Sequence, residues 1–262
     1  MTTVVPGRFC WQDLATTDVE TSLAFYAALF GWKTVTQDMG EQGVYHKLQL
    51  DGKDVGGVFE MAGPMFEGAS PRWMTYVKSA DVDATAAKVT ELGGTIRMPP
   101  FDIPGVGRMV AFTDPQGAEL CAFQDGEQCG KQVSDEHDHA FCWIELMTRD
   151  LEGAKAFYTG LFGWGTEESD AGMMGTYTQW MLDGEHAGGA MQINAHMGDA
   201  QPRWLNYVNV QDVHAAQAKA VELGAKVVVP VLPIPGVGRF TMITDPVGAD
   251  VCLFQHDSAG DE

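Results

Sequence analysis

The sequence predicts an α+β fold built from tandem units, each a strand, a helix and further strands, grouped into two modules. Three observations predict it. The first is a long internal repeat. FCWQDLATTDVETSLAFYAALFGW at 9–32 matches FCWIELMTRDLEGAKAFYTGLFGW at 141–164, with 14 of 24 positions identical. IPGVGRMVAFTDPQGAELCAFQ at 103–124 matches IPGVGRFTMITDPVGADVCLFQ at 234–255, with 14 of 22 identical. LDGKDVGG at 50–57 pairs with LDGEHAGG at 182–189, and PRWMTYV at 71–77 with PRWLNYV at 202–208. The second is a fainter repeat inside each half: Asp18, Val19, Ala24 and Leu29 recur as Asp81, Val82, Ala87 and Leu92, and Asp150, Leu151, Ala156 and Leu161 as Asp212, Val213, Ala218 and Leu223. The third is punctuation, with caps and turns at equivalent places in both halves. The expected division is a first module at 1–126, a polar linker at 127–139 and a second module at 140–262.

Each element has a local cause. Thr17-Asp18-Val19-Glu20 has the form of a helix start, and Asp150 caps the matching helix. Val19, Phe25, Tyr26, Leu29 and Phe30 then form a broad apolar face at helical spacing. Asp81 caps the next helix, which Gly93 and Gly94 end. Tyr45–Leu50 and Tyr177–Leu182 read as strands closing on Asp-Gly turns at 51–52 and 183–184. Thr113–Gly117 and Thr244–Gly248, each with Asp-Pro at its centre, are turns into the last strand of each half.

Composition narrows the partners. Among 262 residues, 36 Asp and Glu stand against 16 Lys and Arg, a net charge of −20. That field repels phosphate backbones and anionic lipid, so nucleic acid and membrane surfaces are excluded as expected partners. No apolar run reaches the ~18 residues of a membrane span, and the N-terminus lacks a signal pattern, so a cytoplasmic location is expected. The cysteines, at 10, 121, 129, 142 and 252, are odd in number and lack a CxxC spacing, which argues against a disulfide framework or a zinc knuckle.

The FY-x-x-L-F-G-W segments after Asp18 and Asp150, the second Asp-Val…Leu-Gly helices, and the GR…DP-x-GA…FQ endings together resemble the vicinal oxygen chelate superfamily, the glyoxalase, bleomycin-resistance and extradiol-dioxygenase group. The FCW and PRW openings and IPGVGR loops are most similar to an actinobacterial two-module subgroup of 27-kDa antigens and hydroxylases. The resemblance covers nearly the whole chain. It implies paired βαβββ units, each module a curled eight-stranded sheet open like a cup, with helices outside and ligand or metal within.

Strand alternation places side chains relative to that cup. Ile144 and Leu146 are expected to face a helix, which turns Trp143 and Glu145 to the cup, as for Trp11 and Asp13. In the last strands Glu119 and Cys121, and their counterparts Asp250 and Cys252, are expected to face it too. Trp73 and Trp204 complete the expected lining, where a flat aromatic or cationic ligand can stack. The resemblance places metal ligands at Trp11 and Trp143, near Trp73 and Trp204, at Cys121 and Cys252, and near Glu60 and its counterpart Gln192. No His falls at any of these positions, and an indole nitrogen is a donor only. Carboxylates with a Cys mix hard and soft ligands, so no metal site is expected. Of the histidines, His46, His186, His214 and His256 correspond to Thr178, Asp54, Asp83 and Asp125, so none recurs. Arg108 and Arg239 of the IPGVGR loops, which form turns at the cup rim, are expected to pair with Asp114 and Asp245, the alternative being that they bind an anionic group there.

The reading that follows is a protein that binds or modifies a small organic molecule in one or both cups, without the family's metal and with no other cofactor. The alternative is a lyase, dioxygenase or hydroxylase with an unusual ligand set around a divalent metal. Duplication supplies within one chain the pairing that single-module relatives make by dimerising, so a monomer is expected, with a homodimer left open.

Overall fold

A computed structural model describes residues 5–40, 43–63, 66–125, 133–172 and 175–257. Residues 127–132 of the expected linker, Cys129 among them, lie outside them. The first half runs β1 (Phe9–Thr16), α1 (Val19–Phe30), β2 (Lys33–Asp38), β3 (Val44–Leu50), β4 (Lys53–Glu60), β5 (Arg72–Lys78), α2 (Val82–Glu91), β6 (Thr95–Ile103), β7 (Gly107–Thr113) and β8 (Glu119–Asp125). The second half repeats it as β9 (Phe141–Thr148), α3 (Leu151–Phe162), β10 (Gly165–Asp170), β11 (Thr176–Leu182), β12 (Glu185–Gln192), β13 (Arg203–Asn209), α4 (Val213–Glu222), β14 (Lys226–Ile234), β15 (Gly238–Thr244) and β16 (Asp250–His256). Four βαβββ units result. Each half forms one open, mixed eight-stranded sheet, in the orders β2-β3-β4-β1-β5-β8-β7-β6 and β10-β11-β12-β9-β13-β16-β15-β14.

Asp81 and Asp150 cap their helices as expected, while in the Thr17–Glu20 segment Asp18 rather than Thr17 is the cap. Asp18, Asp81, Asp150 and Asp212 each accept backbone N–H groups in the first turn of their helices, satisfying donors a helix start leaves open. The bond from Thr21 holds the Asp18 carboxyl below its ordinary range. Gly31 and Gly163 end α1 and α3 in the left-handed conformation, at φ 74° and 71°. Asp51-Gly52 and Asp183-Gly184 both have positive φ at each residue, the requirement of a type I′ hairpin turn.

Chain contacts gather into two compact units, each drawing on both halves. One comprises 12–73, 131–143 and 205–262. It therefore joins α1 and the strands that follow it to α4 and β14–β16. Its core includes Leu14, Phe25, Tyr26 and Trp32 from the first half and Val208, Ile243, Val251 and Leu253 from the second. The other comprises 1–11, 74–130 and 144–204, and joins α2 and β6–β8 to α3 and β10–β12. Its core packs Val89, Phe112 and Leu120 with Leu146, Phe157 and Trp164.

The motifs most visible in the sequence hold these mixed units together. In the first unit Tyr26 donates its hydroxyl to Asp245 Oδ2 at 3.0 Å and accepts the Trp73 indole N–H at 2.9 Å. In the second, Tyr158 donates to Asp114 Oδ2 at 3.1 Å and accepts from Trp204 at 3.1 Å. The other oxygen of each aspartate caps its own turn, Asp245 taking Val247, Gly248 and Ala249 and Asp114 taking Gln116 and Ala118. The FY and DP motifs are thus two ends of one buried network, 219 residues apart in one unit and 44 in the other. Burial, then the neighbouring aspartate, pushes both tyrosine hydroxyls well above 10. Burial also raises Asp114 above its ordinary value, against the opposing effect of its hydrogen bonds. The GW tryptophans act alike: Trp32 donates to the His139 carbonyl and Trp164 to the Gly7 carbonyl.

Candidate functional site

Core membership settles which face each strand residue occupies. Leu14 packs in one core and Ile144 and Leu146 in the other. Alternation therefore turns Asp13 and Glu145 to the face without helices. Likewise Leu120 and Ala122, and Val251 and Leu253, are core residues, so Glu119 and Cys121, and Asp250 and Cys252, share the opposite face.

On that face the most defined arrangement is a carboxylate–tyrosine pair. Asp13, in the middle of β1, is 7% exposed and accepts a 2.7 Å hydrogen bond from the Tyr45 hydroxyl on β3. Tyr45 reaches it across β4, where Gly57 stands directly opposite Asp13. A Cβ on Gly57 would overlap both the Tyr45 hydroxyl and Asp13 Oδ1. Glycine is needed here for close approach rather than for its backbone angles. The second half repeats the register: Gly189 stands opposite Glu145, and Tyr177 pairs with Met191 as Tyr45 pairs with Phe59. Glu145 is 8% exposed. Beside the first pair, Asp54 on β4 accepts from Lys47 at 2.9 Å and from Gln49 at 2.7 Å.

The remaining expected residues divide. Trp11 and Trp143 are half-buried, and Glu119 and Asp250 partly exposed. Asp250 accepts a bond from Thr244 at 2.6 Å. Cys121 and Cys252 are completely buried, beside Tyr76 and Tyr207 on the neighbouring strands, so neither thiol meets solvent. Trp73 and Trp204 do not line a cup. Both lie in the helix-side cores, their N–H groups committed to Tyr26 and Tyr158. Bulky residues on both faces of β5 and β13 hid that phase.

The arginine pairing also needs correction. Arg108 binds Asp83 through Nε and Nη2 and Asp102 through Nη1, each at 2.9 Å, not Asp114. Asp114 is occupied by Tyr158 and its own turn, and Asp245 by Tyr26. The bonds from Arg108 hold Asp83 below its ordinary value, and those to Asp83 and Asp102 hold Arg108 above its own.

The sequence reading missed Tyr45 and Gly57. Their signal was present in the paired Gly-Gly of LDGKDVGG and LDGEHAGG, since glycine inside a strand marks close approach. A depression of about 320 Å³ elsewhere, lined by Leu151, Lys155, Glu168 and Gln192, holds Lys155 between Glu152 and Glu168. Of the positions the resemblance marks, it contains Gln192 alone.

Among the described residues, no group of three or more His, Cys, Asp and Glu side chains could hold a metal ion. No helix among them is long and apolar enough to cross a membrane.

An open sheet of paired βαβββ units with a polar helix-free face defines a class, and comparison identifies it. Both halves match the model of the glyoxalase/bleomycin resistance protein/dioxygenase superfamily, over residues 8–122 and 140–253. The chain belongs to that superfamily. It is 35% identical over 240 residues to "Putative glyoxylase CFP32" of Mycobacterium tuberculosis, covering 91% of each chain. It is 33% identical to "Anthracycline biosynthesis protein DauV" of Streptomyces sp., covering 95% of this chain and 93% of the other. Among solved structures, the Mn(II)-bound glyoxalase from Novosphingobium aromaticivorans superposes with a TM-score of 0.63 at 15% identity, over 95% of this chain and 82% of that one.

Proposed function

We propose that the chain binds a small, flat organic molecule bearing a hydroxyl group on the helix-free faces of its sheets, and does so without a divalent metal. The observation that carries this reading is the Asp13–Tyr45 pair. A carboxylate only 7% exposed, fixed by a tyrosine hydroxyl over a glycine, is a preset acceptor for a ligand O–H. Glu145, in the same register over Gly189, offers a second acceptor of the same kind. The name of the DauV relative supports a fused aromatic ligand. The donor set supports the metal-free part: of the positions where the family places its ligands, Trp11, Trp143, Trp73 and Trp204 offer no lone pair, Cys121 and Cys252 are fully buried, and Glu60 is left with no His beside it at the other positions.

Calorimetric titration with 2-hydroxyanthraquinone tests the proposal. The account expects saturable binding that Asp13→Ala combined with Glu145→Ala weakens at least tenfold, with the thermal midpoint of the protein retained. Unchanged affinity in the double variant removes these acids from the site. The second reading, a metal-dependent lyase, dioxygenase or hydroxylase, draws on the names of the glyoxylase and glyoxalase relatives. Chelator-sensitive turnover of a methylglyoxal–thiol adduct or a catechol would establish it.

A further inference from the structure

The two IPGVGR loops place equivalent arginines in opposite electrostatic surroundings. Arg108 is saturated by the chain's own carboxylates: Asp83, in the first turn of α2, grips it in bidentate fashion, and Asp102, directly across from it on β6, takes the third donor. At the equivalent positions around Arg239 stand His214, in the first turn of α4, and Pro233, directly across on β14. Among the described residues Arg239 has no ion-pair or hydrogen-bond partner for its guanidinium, in a chain of net charge −20.

The surroundings of Arg239 are donors. Arg239, Thr241 and Ile243 alternate onto the face of β15 that packs on α4, because Ile243 is a core residue. The Thr241 hydroxyl lies 2.7 Å from both Gln217 Oε1 and the Val229 carbonyl, which holds Gln217 over β15. His214 lies three residues before Gln217, on the same side of α4, and so stands over Arg239 as Asp83 stands over Arg108. Gln255, directly across from Arg239 on β16, uses its Oε1 to accept from the Val213 N–H at 3.0 Å. With its amide oxygen engaged by a backbone N–H, Gln255 presents its NH₂ group, and Gln217 stands beside it as a further polar side chain. The first half has Ala86 and Val110 where the second has Gln217 and Thr241, so the polar character is peculiar to this copy.

We infer that Arg239, with His214, Gln217 and Gln255, forms an anion site in the unit containing α4, and that its ligand is the carboxylate of a small molecule, seated on Arg239 as the Asp83 carboxylate is seated on Arg108. The first half of the chain is the template: it shows a carboxylate held by Nε and Nη2 at 2.9 Å each, the fork geometry in which arginine recognises this group. The site lies on the helix side of its sheet and is independent of the Asp13–Tyr45 pair.

The test follows the Nε–H resonances of Arg239 and Arg108 in the full chain during titration with acetate and, separately, with inorganic phosphate. Saturable movement of the Arg239 signal with acetate at millimolar concentration, with Arg108 stationary, is the expected result. His214→Asp, which reinstates the carboxylate of the first copy, is expected to abolish that movement and bring the Arg239 signal close to that of Arg108. Arg239→Gln serves as the assignment control and is expected to keep the thermal midpoint. An Arg239 signal that does not move, that moves without saturating, or that saturates with phosphate and not acetate overturns the inference. So does acetate binding that survives in His214→Asp.

Discussion

The two faces of the sheets have kept their duplication to different degrees. On the helix side the same atoms recur in both units: Tyr26, Asp245 and Trp73 in one, Tyr158, Asp114 and Trp204 in the other, with hydrogen bonds of 2.9–3.1 Å throughout. On the helix-free face the copies differ. Asp13 answers to Glu145, Glu119 to Asp250 and Lys78 to Asn209. The buried network leaves no latitude, because losing one member strands polar partners away from water. The open face tolerates change in length and charge, as does the helix side away from that network, around Arg239, and those are where recognition can diverge. The tyrosines, aspartates and tryptophans of the buried motifs are therefore structural, and the candidate acceptors Asp13 and Glu145 lie outside them.

Substitution can break this contrast. Tyr26→Phe and Tyr158→Phe each remove one hydroxyl and leave a buried carboxylate and an indole N–H without it. Each is expected to cost about 1–3 kcal/mol in denaturant unfolding. Tyr45→Phe, on the other face, is expected to cost less, about 0.5–1.5 kcal/mol, while weakening binding of 2-hydroxyanthraquinone. Equal losses of stability at Tyr26 and Tyr45 would erase the distinction between the faces.

A smaller effect is the pH dependence carried by Asp114. The carboxyl of Asp114 is raised by burial above its ordinary 3.8, so the folded state binds its proton more tightly than the unfolded chain. Stability contributed by this group is present below 3.8 and declines as pH rises from there through the folded value. Asp114→Asn is expected to flatten that part of the stability profile, measured as the unfolding midpoint between pH 4 and 7. A profile as steep as the parent's would assign the slope to other groups. The smallest difference is expected between Gly57→Ala and Tyr45→Phe: a Cβ at Gly57 displaces Tyr45 from Asp13, so the two variants are expected to lose similar stability in unfolding and similar affinity for 2-hydroxyanthraquinone.

Local features were legible in the sequence because their causes are local. The aspartate caps at 81 and 150, two Asp-Gly hairpins and the glycines after α2 each depend on a few adjacent residues. Four repeated units were legible for the same reason. The grouping of α1 with α4 and α2 with α3 was not, since it depends on contacts such as Tyr26 to Asp245, 219 residues apart. Trp73 and Trp204 were assigned to the wrong face because both phases of their strands are apolar: Met74 and Tyr76 are as buried as Trp73. Arg108 was given the wrong partner because Asp114 had a buried tyrosine to serve, in a helix the repeat pattern had not placed beside it.

The most direct test compares the affinity of the chelator-treated protein for 2-hydroxyanthraquinone with that of protein loaded with Mn(II), each with and without the Asp13→Ala, Glu145→Ala pair. The account predicts equal affinity with and without the ion, and at least a tenfold loss in the double variant under both conditions. Binding that appears only after Mn(II) is added, or that ignores the two carboxylates, would contradict it.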